Sequence, residues 1–328
     1  MRIGTVGTNF VVSMFIDAAG LTGQAEIAAV YSRDPKTASD FASKHGVKKE
    51  YSDRRVFLND VDLDFIYVAS PNSLHYSWTK DALLAGRNVI CEKPFVSREK
   101  ELAELSALSR EKNLFLFEAL TIPFLPNYRL LREHLHEIGV PRFAQLNFSQ
   151  YSSRYDAFLR GETPNVFSPA FSGGALMDLN YYNLCFILGI FGEPQDLVYF
   201  PNLAENGIDT SGSLIMKYPG FIASCTGCKD SASQNYVQLQ GEKGCIRAET
   251  TASSLGTGFT VYTKEGKQSY NGQDRENVLY YEIMHFCEVF RNGDRRACDK
   301  RLEEGLLSMR LMDKARMNAG VYFDADKE

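Results

Sequence analysis

Residues 69–95 read ASPNSLHYSWTKDALLAGRNVICEKPF. The stretch begins where one apolar run, Asp64–Ser70, gives out, and it closes on Glu92, Lys93 and Pro94, just past a second run, Asn88–Cys91. Both runs have the length of strands and are apolar nearly throughout, as strands covered on both faces should be. Ser73–Ala85 reads as the helix between them. Strand, helix and strand in that order make a parallel crossover unit. A lone lysine after the second strand then stands at the carboxyl edge of a parallel sheet, where open α/β folds place their chemistry.

The same rhythm extends in both directions. Arg2–Gly7 is a short apolar strand and Phe10–Ala19 a helix. Glu26–Tyr31 is a second strand, followed by a helix that Asp34 can cap with Pro35 at its first position. That helix carries Ala38, Phe41 and Ala42 on one face and stops near Gly46. Ser97–Lys112 is a further helix and Leu114–Glu118 a further strand. Residues 1–120 are therefore expected to form a doubly wound parallel sheet. The rhythm changes at TIPFLPN, residues 121–127, whose two prolines suit a linker. After a helix at Asn127–Ile138, period-two runs follow at Arg142–Tyr151, Asp209–Lys217, Phe221–Cys228, Tyr236–Gln240 and Gly258–Tyr262. Short strands joined by Gly, Asn and Lys turns predict a mainly antiparallel sheet for a second domain, residues 121–328. A helix at Gly174–Leu188 interrupts them, and the chain closes on helical patterns at Asn277–Phe290 and Leu302–Asn318.

The length of 328 residues suits two domains. With 44% hydrophobic and 23% charged residues the composition is globular, which argues against disorder or fibre. A formal net charge of −5 argues against a nucleic-acid partner, although it leaves room for a local phosphate pocket. No apolar run approaches the roughly eighteen residues of a spanning helix, and MRIGTVGTNF lacks the layout of a signal peptide. A cytoplasmic protein without membrane attachment is expected. Seven cysteines, an odd number scattered from Cys91 to Cys298, fit reduced thiols better than a disulfide framework. Cys225 and Cys228 form a CxxC, but with no second pair and no nearby histidine they read as strand and turn residues, and no metal is expected.

The first strand runs into Gly4-Thr5-Val6-Gly7-Thr8-Asn9-Phe10-Val11-Val12. A dinucleotide fingerprint places glycines at the positions of Gly7, Asn9 and Val12, and here only the first is glycine. Asn tolerates positive φ, so Asn9 is expected to serve the tight turn. Gly7, Thr8, Asn9, Phe10 and Val11 would then hold a pyrophosphate through amides at the helix start. The second strand ends at Tyr31-Ser32-Arg33, where an NAD-selective site needs an acid. The Ser32 hydroxyl and Arg33 guanidinium complement a 2′-phosphate instead, which favours NADP over NAD. The bland alternative is a solvated arginine beside a helix cap.

Taken together, Pro71-Asn72-x-x-His75, Ala85-Gly86, Cys91-Glu92-Lys93-Pro94, Glu118-Ala119 and Gly173-Gly174-Ala175-Leu176-Met177-Asp178 resemble the Gfo/Idh/MocA family of oxidoreductases. The resemblance spans nearly the whole chain. It implies a Rossmann domain followed by an α/β domain whose large open sheet is often used for oligomer contacts, so a homo-oligomer, dimer or tetramer, is expected. It also implies NAD(P)-linked oxidation or reduction of a small-molecule substrate, a sugar, polyol, diol or related carbonyl compound. By position, Ser70, Pro71, Asn72, His75, Glu92, Lys93 and Glu118 would approach the cofactor. Lys93 would lie beside the nicotinamide and the reacting oxygen. Asp178 matches the catalytic-segment aspartate, and Tyr182 takes the place of a histidine or tyrosine acid/base. Three departures stand out: Asn9 and Val12 in the turn, Asn180 where glycine is usual, and Pro123 where several members carry arginine.

The chemistry is coherent. Asp178 and Tyr182 are four apart and share a helix face. A tyrosine is a sluggish acid at neutral pH, and a nearby ammonium such as Lys93 would favour its phenolate and stabilise a developing alkoxide. Asp178 would orient substrate hydroxyls. Rival readings are a helix-capping or packing His75, an Asp178 that only salt-bridges, a core Tyr182 and a Glu118 that only binds backbone. A catalytically silent dinucleotide-binding sensor is the alternative function.

Overall fold

Six short strands build the first sheet: β1 (Arg2–Val6), β2 (Glu26–Tyr31), β3 (Lys49–Tyr51), β4 (Phe65–Val68), β5 (Asn88–Glu92) and β6 (Leu116–Ala119). In the computed structural model, which describes residues 1–327, all six run parallel in the order β3-β2-β1-β4-β5-β6. From β1 the chain winds one way to β3 and then the other way to β6. The crevice at that reversal, beyond the carboxyl ends of β1 and β4, is where open α/β sheets bind ligands. The central strands β1, β4 and β5 are buried on both faces because helices Phe10–Thr22, Pro35–His45, His75–Leu84 and Glu99–Glu111 intervene between the strands. Asp34 caps its helix as expected, accepting from Lys36 N at 3.0 Å. β3 was not foreseen, since three residues with Lys49 and Glu50 among them carry no apolar signal.

The chain divides into two compact units, Met1–Leu120 with Asn277–Leu306, and Thr121–Glu276 with Leu307–Glu328. This corrects the linear division expected from sequence: residues 277–306 return to the first unit. There helix Leu279–Asn292 packs on helix Phe10–Thr22. Phe286 stacks on Phe117 at 4.6 Å between centroids, and Phe290 meets Phe65 and Phe115 edge-on. The turn at Gly293, with φ of 63°, separates this helix from Arg295–Asn318.

The second unit holds an eight-stranded sheet: β7 (Pro141–Ser149), β8 (Asp196–Leu203), β9 (Asp209–Tyr218), β10 (Phe221–Cys228), β11 (Tyr236–Gly241), β12 (Gly244–Ala248), β13 (Phe259–Thr263) and β14 (Gly266–Tyr270). Its order is β14-β13-β12-β11-β7-β10-β9-β8, and only the β7–β10 pair is parallel. Period-two alternation explains its sidedness. Ala223 and Cys225 of β10 are buried under helix Tyr181–Phe191, while Val198, Phe200 and Ile222 are exposed on the opposite face. Cys225 and Cys228, three apart on β10, point to opposite faces. The stretch Pro169–Phe191 reaches, against expectation, the length and apolarity of a spanning helix; with 67% of its most apolar window buried it is the core helix of this unit.

Candidate active site

In the first unit, β1 ends at Gly7, whose φ of 108° suits glycine alone. A Cβ there would also meet Ala69 O at 2.8 Å, so the turn passes directly over the end of β4. Asn9 does not take the positive φ expected of it. Its φ is −82°, and it acts as helix cap, with Oδ1 accepting from Val12 N at 3.1 Å and Nδ2 donating to Ala69 O at 2.9 Å. Asn9 thus ties the start of the helix to the end of β4, and the fingerprint's departure from glycine becomes a cross-link. Val12, the other departure, is fully buried against the sheet. The amides of Phe10 and Val11 in the first turn have no intrahelical acceptor. Thr8 and Val11 are half-buried at this turn, and Phe10 is 78% exposed. A close-approach glycine followed by outward amides at a helix start is a fitting cradle for a pyrophosphate.

At the end of β2, Ser32 is half-buried and Arg33 exposed, with no ion-pair partner for Arg33 among the described residues. The nearest acid, Asp34, is committed to its cap, since it also accepts from Thr37 Oγ1 at 2.8 Å. Those bonds hold its carboxyl below the usual range. No acid is therefore left at β2's end to receive a ribose hydroxyl.

The β4 and β5 ends are joined through His75. It is 1% exposed, with Nδ1 2.9 Å from Pro94 O and Nε2 2.9 Å from Ser70 O. Burial lowers its pKa, so the ring is neutral: one nitrogen donates and the other faces a carbonyl. Both ring nitrogens are turned to backbone carbonyls, so His75, expected either to approach a cofactor or to cap or pack, is held between the ends of β4 and β5. Ser70, Pro71 and Asn72 remain half-buried around it. Glu92 is buried and accepts from Tyr67 OH at 2.5 Å and from Lys93 N at 3.2 Å. In the run Cys91–Ser97, Lys93 is the one side chain that is not buried. Glu118, on β6 opposite Cys91, is half-buried.

Sequence reading missed Glu282 here. It is fully buried on helix Leu279–Asn292, and neither carboxyl oxygen has a hydrogen-bond partner among the described residues. Burial pushes its pKa well above the ordinary value, and the charges of Glu92 and Glu118 push the same way, so it stands as a neutral acid.

In the second unit, Leu176–Asn180 forms a π-helical turn that leads into helix Tyr181–Phe191, where a regular α-helix was expected. Tyr181 N donates to Leu176 O, five residues back. Such wider turns occur frequently at functional sites, and Asp178 and Tyr182 stay about one turn apart. Tyr181, not Tyr182, is the core tyrosine: Tyr181 is buried, whereas Tyr182 is half-buried with its ring 6.0 Å from that of Phe148. Asp178 has a third of its side chain exposed and pairs with Lys229. Asn180 fills the usual glycine position fully buried, donating to Gly212 O at 3.2 Å and accepting from Asn183 at 2.9 Å. Pro123, half-buried in the turn Ile122–Phe124, has no group to offer a substrate.

Two further residues hold this turn that the sequence did not single out, Lys229 and Asp209. Asp209 is fully buried, accepting from Leu176 N at 2.6 Å and Tyr199 OH at 2.7 Å. Gly174, with φ of 103°, makes room for it, because a Cβ there would overlap Asp209 Oδ1. Burial pushes the Asp209 carboxyl up to about 6 from 3.8. With the folded value above the unfolded one, its stabilising contribution is whole below about pH 4 and is lost as the pH rises to about 6. The full window is worth about 3 kcal/mol. Between about pH 4 and about pH 6, thermal melting should show the wild type losing stability relative to Asp209→Asn. Parallel pH responses of the two proteins would remove this role.

A profile described as the oxidoreductase family with NAD-binding Rossmann fold matches residues 1–120, and a GFO/IDH/MocA C-terminal domain profile matches residues 128–247. A scyllo-inositol 2-dehydrogenase (NADP(+)) of Bacillus subtilis is 32% identical over 328 residues, covering 100% of this chain and 99% of the relative. The chain belongs to the Gfo/Idh/MocA family. It is an NAD(P)-dependent oxidoreductase. The trans-1,2-dihydrobenzene-1,2-diol dehydrogenase of Sus scrofa is 28% identical, with 100% of this chain and 99% of that one covered. Among solved structures, a 3-ketoreductase from Actinomadura kijaniata in complex with NADP and TDP-benzene superposes with a TM-score of 0.85 at 22% identity, covering 98% of this chain and 99% of that one. That likeness is one of fold.

Proposed function

We propose that the protein is an NADP-dependent dehydrogenase of neutral polyhydroxylated compounds, ring polyols such as inositols or vicinal diols. The observation that carries this reading is the pair Asp178 and Tyr182, the partly exposed polar groups of an otherwise buried helical segment. A carboxylate and a phenol accept from and donate to hydroxyls, and the carboxylate disfavours anionic substrates. The relatives' names, an NADP-dependent inositol dehydrogenase and a dihydrodiol dehydrogenase, support the same substrate class. NADP is favoured by the unpaired Arg33 and the cap-committed Asp34.

Gly7, Thr8, Asn9, Phe10 and Val11 would hold the pyrophosphate, with Ser32 and Arg33 at the 2′-phosphate and Ser70, Pro71, Asn72, Glu92 and Glu118 bordering the crevice. The nicotinamide supplies the hydride acceptor for an alcohol and the donor for a carbonyl. Lys93 stabilises negative charge on the reacting oxygen. Tyr182 takes the hydroxyl proton in oxidation and returns it in reduction. Asp178 accepts hydrogen bonds from neighbouring hydroxyls and so orients the ring. The exposed face of the eight-stranded sheet, with Val198, Phe200 and Ile222, would receive a second copy of the chain. A cytoplasmic location fits such an enzyme.

The test is a panel of inositols, diols, sugars and hydroxy acids, followed by NADPH absorbance with NADP and NAD in parallel. Turnover of neutral polyols and none of hydroxy acids is expected. Cofactor binding without turnover across the panel would favour a silent sensor. Arg33→Ala should lower the NADP-over-NAD preference by about 10- to 100-fold, the worth of a charge-assisted hydrogen bond. An unchanged preference would place 2′-phosphate recognition elsewhere.

A further inference from the structure

Lys229 is 4% exposed, and its ammonium is buried in the second unit. It directly follows β10, and its backbone is fixed on both sides. Its N–H donates to Thr210 O at 2.8 Å, and its carbonyl accepts from Ser152 N at 2.8 Å. The ammonium pairs with Asp178 Oδ2 and lies 5.6 Å from the centre of the Phe167 ring. A lysine is seldom buried this far, because desolvating the cation costs several kcal/mol that only a well-placed partner offsets. An apolar residue would fill the position at no such cost. The cation therefore calls for a reason beyond packing.

Its surroundings supply one. Lys229 stands in the field of two carboxylates, the partly exposed Asp178 and the buried Asp209. Asp209 anchors the backbone of the π-turn at Leu176, and Lys229 anchors the side chain two residues on. The turn is thus held from β9 and from the end of β10 at once. Asn180 and Asn183 add bonds to Gly212 O and Thr226 O of the same strands. Lys229 is too enclosed to meet a substrate, whereas Asp178 is not.

We propose that Lys229 is a positioning residue for the reaction, fixing the Asp178 carboxylate in the orientation that receives substrate hydroxyls. The role rests on the function proposed above for Asp178. It predicts that Lys229 matters only through Asp178. Misplacing an orienting group by about an ångström costs about 100-fold in rate.

The experiment uses the full chain with NADP and scyllo-inositol as probe. Lys229→Met should lower kcat/KM by about 100-fold, leave the NADPH dissociation constant within about two-fold, and lose its effect in an Asp178→Asn background. Lys229→Arg, which keeps the cation in a different shape, should recover about ten-fold of that loss. It also keeps the question open to measurement should the methionine variant fold poorly. A wild-type kcat/KM in Lys229→Met overturns the proposal. So does an equal loss in the Asp178→Asn background, which would make Lys229 a structural residue only. If the wild type oxidises neither scyllo-inositol nor another neutral polyol, the substrate reading has failed. The pairing is then decided by melting: coupled losses in Asp178→Asn, Lys229→Met and the double variant support it, and additive losses overturn it.

Discussion

Lys93→Met is expected to lower kcat by about three orders of magnitude while leaving NADPH affinity within about two-fold. Three contacts that shape the Lys93 loop are made without the Lys93 ammonium. Its backbone N–H donates to Glu92, Glu92 is fixed by Tyr67, and the next carbonyl faces His75. Methionine has nearly the same length and none of the charge, so the loop should keep its course. What disappears is an ammonium able to stabilise charge on oxygen, a contribution that exists mainly in the transition state. The loss should therefore fall on kcat rather than on KM. Single-turnover rates with NADP and a polyol, beside a fluorescence titration of NADPH, measure both halves. Wild-type single-turnover rates would take Lys93 out of the chemistry.

Arg316→Met is expected to destabilise the protein by about 3–5 kcal/mol, the cost of orphaning buried charges. Arg316 has no exposed surface, yet its guanidinium is fully engaged. It donates to both oxygens of Asp326, at 2.6 and 2.7 Å, and to Asp313 Oδ1 at 2.7 Å, with the Phe323 ring 4.6 Å away. Asp326 Oδ2 also accepts from Phe323 N at 2.7 Å, so the turn Asp324–Lys327 hangs on this guanidinium. Burial opposes the charge, but the two carboxylates outweigh it and raise the Arg316 pKa. Removing the cation leaves two half-enclosed carboxylates without their guanidinium. Chemical denaturation of the wild type and the variant measures the cost. A change below about 1 kcal/mol would show that the C-terminal turn contributes little to the fold.

The elements carrying most candidate residues were legible in the sequence because each rests on a local pattern. The parallel sheet announced itself through continuous apolar runs, and the Asp34-Pro35 cap through two adjacent residues. β8 was not legible: it is an edge strand, and Pro201 within it demotes the run by the rule that serves elsewhere. The π-turn is equally silent, since nothing in LMDLN separates it from one turn of α-helix. Lys229 and Asp209 lie 51 and 33 residues from the groups they hold, so only the pairing of β9 with β10 brings them there. His75 was visible as part of a motif, but its partners are carbonyl oxygens, which every residue possesses. For the same reason the brace between two loops could not be told from a ligand contact.

The return of residues 277–306 to the first unit bears on how the protein is made. Phe65, Phe115 and Phe117 meet the rings of Phe286 and Phe290. A nascent chain leaving the ribosome must therefore carry that aromatic face uncovered while more than 150 further residues are translated. The nucleotide-binding half, synthesised first, is among the last parts to be finished, and an excised 1–120 fragment would be born sticky.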